Sequence, residues 1–280
     1  LSILVRTIVG GATVVIPAQR PDLATTITEY GITHVSLVST QLIRLLNDER
    51  GRNALRQLKA IVLGGSAMPR ATLAEAYALD LPIHISYGLT EMGSQVATTP
   101  REVPTNKRYT SGRVLPYREL KIDNDGQILV RGETRFVGYV EGTQLRQPFD
   151  ADGWYATSDL GQIDGDGYLH VQGRKDNMFI SGGENIQPEE IEAVLLQLPG
   201  IEQAMVVPVP DAEFGVRPAA FVKAQNVSEE QIVTFLRQRL PRFKIPRAFF
   251  PWPDQLAVQG IKVSRKQMQQ LALEQQNNAG

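Results

Sequence analysis

Tyr87-Gly88-Leu89-Thr90-Glu91 sets an aromatic ring, a glycine, a hydroxyl and a carboxylate at the end of an apolar run. Such a ring can stack on a base, and the glycine lets a ligand approach the backbone. The hydroxyl of Thr90 can bond a phosphate oxygen, and Glu91 can hold Mg2+. The same five residues also fit a structural turn. Asp159, in Tyr155-Ala156-Thr157-Ser158-Asp159, follows a predicted strand. A carboxylate there can accept both hydroxyls of a ribose, or simply close a strand-end turn. Arg174 offers a rigid fork of donors to ribose or phosphate oxygens, or to a surface carboxylate. Lys262, in Gly260-Ile261-Lys262-Val263-Ser264-Arg265, is either a solvated charge or a cation for a transition state. In the second role it would neutralise charge developing between an activated carboxyl and a phosphate.

These residues need elements to position them. Up to about residue 86, predicted strands at 13–16, 33–38, 58–63 and 83–86 alternate with predicted helices at 4–10, 21–30, 41–47 and 70–79. That alternation predicts a parallel sheet, whose ligands bind beyond the carboxyl ends of the strands. The loops Gly64-Gly65-Ser66-Ala67-Met68-Pro69 and Tyr87–Glu91 fall there. From about Ser111 the pattern changes to short strands and turns, with Asn124-Asp125-Gly126 between two runs as a hairpin signal. Asp164-Gly165-Asp166-Gly167 faintly resembles a calcium loop, but Lys175 stands where its twelfth-position glutamate would be, so a β-turn is expected. Gly173–Glu192 contains a charged turn, the loop Ser181-Gly182-Gly183-Glu184 and a helix start at Pro188. Ile191, Val194, Leu195 and Leu198 give that helix one apolar face. Ser228 and Gln231 form a capping box for a later helix. The expected fold class is α/β: the C-terminal part of a large domain (a parallel sheet with helices, then a β-rich subdomain), plus a small α+β C-terminal domain.

The chain of 280 residues has a net charge of -1 and no cysteine. Disulfides, thiolate metal sites and a cysteine nucleophile are excluded. The charge gives no support for a nucleic-acid partner. Residues 1–16 are mostly apolar, but Arg6 and Gly10-Gly11 interrupt a run already short of a membrane span, so no membrane insertion is expected. A buried helix feeding a buried strand is expected there instead. The three histidines, His34, His84 and His170, match no metal spacing.

Taken in order, these motifs resemble the acyl-adenylate-forming superfamily of acyl-CoA synthetases, adenylation domains and luciferases, over essentially the whole chain. The resemblance implies that Tyr87 stacks on adenine, with Gly64, Gly65, Ser66 and Gly88 lining the same pocket. It implies that Thr90 binds the α-phosphate, Glu91 the magnesium, and Asp159 and Arg174 the ribose. Lys262 would serve adenylation, and the loop of Ser181, Gly182 and Gly183 the transfer to coenzyme A. Residues 1–173 would be the remainder of a large nucleotide-binding domain (1–108 the α/β sheet, 109–173 the β-rich part). Residues 174–280 would be a small mobile domain turning about Asp176.

The implied activity is an ATP- and Mg2+-dependent, AMP-forming acid–CoA ligase in the cytoplasm, with ATP, coenzyme A and an aromatic carboxylic acid as small-molecule partners. A homo-oligomer is left open. Residues 34–46, 181–190 and 260–265 most resemble ligases whose acid carries a second carboxylate. Arg6 is the candidate cation for it, with Ser36 and Thr40 as further substrate contacts. An arginine in an apolar stretch needs a partner, and an internal salt bridge is the alternative. The sequence departs from the family at Ser158 and Ile261, where glycines are usual. The Ser/Thr/Gly-rich phosphate loop ending in lysine is absent. Because the chain opens on Leu1, that loop is expected upstream in a longer polypeptide. Another acyl- or aryl-CoA synthetase, a carrier-protein adenylation domain and a non-catalytic nucleotide- or acyl-binding module are the alternatives.

Overall fold

The computed structural model describes residues 2–17, 22–65, 68–253 and 264–278. The chain divides into two units, Leu1–Met68 with Thr72–Val171, and Gln172–Gly280 with Pro69–Ala71.

The first unit begins with α1 (Ser2–Val9), α2 (Leu23–Glu29), β1 (His34–Leu37), α3 (Ser39–Leu46), α4 (Glu49–Arg56), β2 (Ala60–Leu63), α5 (Arg70–Ala78) and β3 (Ile83–Leu89). Side chains start the helices: Asp22 accepts from the Thr25 N–H, and Asp48 from the Gly51 N–H. β1, β2 and β3 pair in parallel, with Ser36 opposite Val62 and Leu63 opposite Ile85. Ile27, Leu42, Leu46, Leu55, Ile61 and Leu63 are fully buried between helices and sheet.

A 3-10 turn at Thr90–Met92 then reverses the chain into β4 (Ser94–Thr98), which pairs antiparallel to β3 and to β5 (Arg113–Val114). The expected parallel sheet is therefore mixed, because so short a connection allows only antiparallel neighbours. A second sheet, in the order β11-β10-β7-β6, comprises β6 (Arg118–Ile122), β7 (Gln127–Gly132), β10 (Tyr155–Ile163) and β11 (Leu169–Arg174). A hairpin of β8 (Tyr139–Glu141) and β9 (Gln144–Arg146) stands beside it in sequence.

The turn at Asp164 forms as expected, with Oδ1 accepting from the Asp166 and Tyr168 N–H groups. Lys107 contacts Asp164 and Asp166 at 2.7 and 2.6 Å. The hydrogen bond from Lys107, then that from His170, holds the Asp164 carboxyl well below the usual carboxylate range.

Two expectations fail here, and one helix is additional to them. Residues 12–17 form no strand. The Ala12 N–H bonds back to Thr7 O and closes α1 instead. α1 itself is not buried: Ile8 and Val9 are 77% and 83% exposed, and no element among the described residues covers them. Its apolar composition indicated a core helix, and among the described residues no surface packs on that face. The additional helix is α4, whose only inward residues are Gly51, Ala54 and Leu55, too few for an apolar stripe.

In the second unit, β12 (Phe179–Ser181) and β13 (Glu184–Ile186) form a hairpin that leads into α6 (Pro188–Leu195). β14 (Ile201–Asp211) and β15 (Gly215–Ala224) form a long antiparallel pair, with β16 (Phe249–Pro251) parallel to β15. α7 (Glu229–Arg237) carries the expected capping box at Ser228, and α8 (Arg265–Asn278) follows. Ile191, Leu195, Val206 and Leu236 fill one core. Val207, Phe221, Met268 and Ala272 fill another.

The start of α8 is tied down by charge. Arg265 Nη1 donates to Glu192 Oε1 at 2.5 Å and also to Val206 O, and its Nη2 lies 3.3 Å from Glu189 Oε1. Glu192 also accepts from the Val206 N–H at 2.7 Å. Burial pushes the Glu192 carboxyl above its ordinary range, and Arg265 pulls it back. A raised carboxyl favours the fold at low pH and opposes it as pH rises. Arg265→Ala should therefore destabilise the chain by about 3 kcal/mol at neutral pH, because it strands a buried carboxylate. The loss should shrink toward pH 5. Urea unfolding at several pH values checks both, and a pH-independent loss would contradict this account.

Candidate active site

The first unit gathers the nucleotide-type residues around the end of β3. Tyr87 is 9% exposed, and its hydroxyl donates to Asp159 Oδ2 at 2.7 Å. The two residues are 72 positions apart. β10 delivers Asp159 through an irregularity: its register against β7 shifts between Ala156 and Leu160. The buried Thr157 hydroxyl donates to Ile128 O at 2.8 Å and accepts from the Asp159 N–H at 3.0 Å. Ser158, between them, is left-handed with φ +61°. The family's usual glycine would be unstrained at this position, whereas an L-residue there costs free energy.

Gly88 is required by close approach. A Cβ on it would lie 2.1 Å from Ser94 O on β4. The turn that follows places Thr90 on the surface and Glu91 half-buried. Tyr139 donates to Glu91 Oε1 at 2.6 Å, and the Tyr155 hydroxyl lies 2.9 Å from that of Tyr139. The hydrogen bond to Glu91, followed by that to Tyr155, pushes the Tyr139 hydroxyl well above the usual tyrosine range. Phe136 packs edge-on against Tyr139, Phe149 and Tyr155 with centroids 4.8, 5.5 and 5.6 Å away. Its N–H donates to the Glu91 carbonyl at 2.7 Å. Among the described residues no cluster of three histidine or acidic side chains could cage a metal. A single carboxylate suits Mg2+ that arrives on phosphates and keeps its waters.

Gly64 directly follows β2, and its N–H donates to Leu37 O at 3.2 Å. Gly65 follows it, and Ser66 lies outside the described residues. Ser36 is exposed on β1, and Thr40 is exposed in the first turn of α3. Arg6 is exposed on α1 rather than buried, and its Nη1 donates to Gln95 Oε1 at 2.6 Å. Gln95 sits opposite Gly88 in the β3–β4 register. The expectation of a buried cation is thus corrected. Apolar neighbours in sequence did not enclose the side chain, because α1 presents them to solvent.

In the second unit, Arg174 and Asp176 are exposed and paired at 2.8 Å, and Gln187 Nε2 donates to Arg174 O at 3.1 Å. Gly182 and Gly183, at φ +55° and +88°, make the left-handed turn of the β12–β13 hairpin. Ser181 is 3% exposed, so its hydroxyl is buried while the two glycines are exposed. The Gly182 N–H donates to Phe214 O at 3.0 Å. Lys262 lies outside the described residues. Tyr139, Tyr155 and Phe136 were missed from sequence. The only signal was the density of aromatic residues at 136, 139, 149 and 155.

Residues 1–140 match the family model for AMP-binding enzymes, and residues 190–257 match that for the AMP-binding enzyme C-terminal domain. The chain belongs to the AMP-binding enzyme family. It is similar to the 2-succinylbenzoate–CoA ligase of Salmonella typhimurium, with 38% identity over 249 residues, covering 89% of this chain and 52% of that protein. The corresponding Escherichia coli ligase is 37% identical over 246 residues, with 88% and 52% covered. Among solved structures, a single-substitution variant of E. coli MenE with bound OSB-AMS has a TM-score of 0.80 at 36% identity, covering 91% of this chain and 54% of that one. Bacillus subtilis MenE in complex with the acyl-adenylate intermediate OSB-AMP has a TM-score of 0.76 at 32% identity, with 89% and 54% covered. The chain spans about half the length of the curated relatives it matches.

Relief of strain beside Asp159 is measurable. Ser158→Gly should stabilise the chain by about 0.5–1 kcal/mol, the left-handed cost less the extra freedom of unfolded glycine. A higher urea midpoint with an unchanged slope would show it. A lower midpoint would mean that the serine side chain contributes more than its backbone costs.

Proposed function

We propose that the chain is the nucleotide- and thioester-handling part of an AMP-forming ligase that joins 2-succinylbenzoate to coenzyme A, in menaquinone biosynthesis and in the cytoplasm. The observation that carries the reading is the 2.7 Å bond between Tyr87 and Asp159. It brings together the ring that this reading stacks on adenine and the carboxylate that it assigns to the ribose, with Glu91 on the turn that leaves the same strand. Membership of the AMP-binding family and the similarity to two bacterial 2-succinylbenzoate–CoA ligases support it.

In this reading a carboxylate oxygen of the acid attacks the α-phosphorus of ATP, and pyrophosphate leaves. The sulfur of coenzyme A then attacks the acyl carbonyl, the bond to AMP breaks, and the thioester forms. Tyr87 holds the adenine, with Gly64, Gly65, Ser66 and Gly88 against it. Asp159 and Arg174 hold the ribose, and Thr90 takes the α-phosphate. Magnesium carried on the triphosphate offsets its charge, and Glu91 is the residue that would hold it. Lys262 neutralises charge in the first step, and the Ser181-Gly182-Gly183 hairpin serves the second, with Asp176 as the pivot between them.

Arg6 supports a second reading. Its Nη1 already donates to Gln95 Oε1 at 2.6 Å, a bond that a second carboxylate of the acid would have to displace or share. A ligase for a different aryl acid fits that observation, with Arg6, Ser36 and Thr40 lining the acid site less selectively. A panel of aryl acids, read as acid-dependent pyrophosphate release and then as thioester, separates the two. The first reading expects 2-succinylbenzoate to lead the panel. Turnover of benzoates without the second carboxylate at an equal rate would favour the second. In the same assay Lys262→Ala should slow pyrophosphate release by about a hundredfold or more, the scale of a lost charge-stabilising group. Thioester formation from supplied acyl-adenylate should change far less. Equal loss in both half-reactions would count against that role.

A further inference from the structure

We propose that Tyr139 is a positioning residue that fixes the orientation of the Glu91 carboxylate, so that Oε1 is engaged by protein and Oε2 is presented to a divalent cation. The inference rests on the nucleotide reading above and goes beyond it, since it assigns a task to a residue 48 positions away on a separate hairpin.

Glu91 is gripped at two points. Its carbonyl accepts from the Phe136 N–H at 2.7 Å, and Oε1 accepts from the Tyr139 hydroxyl at 2.6 Å. The Tyr155 hydroxyl lies 3.4 Å from the same Oε1 and 2.9 Å from the Tyr139 oxygen. Hydroxyls chained onto one carboxylate oxygen strengthen one another and fix the carboxylate plane. Oε2 has no hydrogen-bond partner among the described residues. The rings that carry the hydroxyls are themselves held. Phe136 stands at 71° to Tyr139 and 79° to Tyr155, and the Arg146 guanidinium lies 4.8 Å from the Tyr139 ring centre. Arg146 is kept there by Glu141 at 2.6 Å.

The β8–β9 hairpin is otherwise exposed, with Val140 at 77% and Leu145 at 50%. Tyr139 is the half-buried residue of β8. A surface hairpin that sends one ring inward to a single carboxylate oxygen contributes little core; its specific product is the orientation of Glu91. Outer partners of this kind tune metal affinity without touching the metal.

The test is Mn2+ binding followed by electron paramagnetic resonance, on the full chain with α,β-methylene-ATP, beside nucleotide binding without metal. Tyr139→Phe keeps the ring and removes the hydroxyl. It should weaken Mn2+ uptake by the nucleotide complex about tenfold while leaving metal-free nucleotide affinity unchanged. Tyr155→Phe, which keeps the short Tyr139–Glu91 bond, should change Mn2+ affinity by no more than about threefold. Wild-type uptake that Tyr139→Phe leaves unaltered, but Glu91→Gln abolishes, would overturn the role of Tyr139 alone. Equal loss of nucleotide affinity with and without metal would also overturn it, by making the effect merely structural. A wild-type chain that takes up no Mn2+ with nucleotide would overturn the nucleotide reading, and this inference with it.

Discussion

The close approach of β3 and β4 at Gly88 is the constraint on which the first unit turns. With a side chain at 88 the two strands could not lie where they do, because Ser94 O already occupies the space 2.1 Å from that Cβ. Since they can approach, the chain reverses within a 3-10 turn. That reversal converts a parallel α/β layer into a mixed sheet. Met92, Val96 and Ala97 then enter a second core with Ile128, Val130 and Leu169 of the other sheet. Tyr87 can meet Asp159 only because the two sheets share that core. Glu91 leaves the same turn toward the aromatic cluster at Phe136 and Tyr139. One backbone contact thus precedes the placement of three side chains, each with different chemistry.

Much of this was legible from sequence, where local rules operate alone. The strands 33–38, 58–63 and 83–86 are runs of β-branched and apolar residues between helices, and they appear as β1, β2 and β3. The capping box at Ser228 and the turn at Asp164 follow from side chains that reach two to four residues along the chain. Tyr87, Gly88, Glu91 and Asp159 could be singled out because their types recur in a fixed order. That they meet is a fact of folding that no local rule contains.

What was not legible depends on partners distant in sequence. Whether α1 is buried depends on what lies against it, and apolar composition alone cannot say. α4 is a helix because α2 and α3 pack on it, although its own sequence, Glu-Arg-Gly-Arg-Asn-Ala-Leu-Arg, is mostly polar. The bond from Tyr139 to Glu91 joins a weak, exposed hairpin to a turn in another sheet. Ser158 departs from the family pattern in sequence, but only its left-handed backbone shows why glycine is usual there. For α1, α4 and Tyr139 the missing quantity was a tertiary contact; for Ser158 it was a backbone dihedral.

The ion pair at the start of α8 carries a consequence for warm conditions. Taking Glu192 and Arg265 out of water is unfavourable near room temperature, but charged groups hold their hydration less firmly on heating. The penalty of that burial shrinks as temperature rises, while apolar burial gains little more. The fastening of α8 to α6 and β14 therefore strengthens relative to the cores on either side of it. On warming, that helix is held increasingly by its charged end, while Met268 and Ala272 on its apolar face add little more.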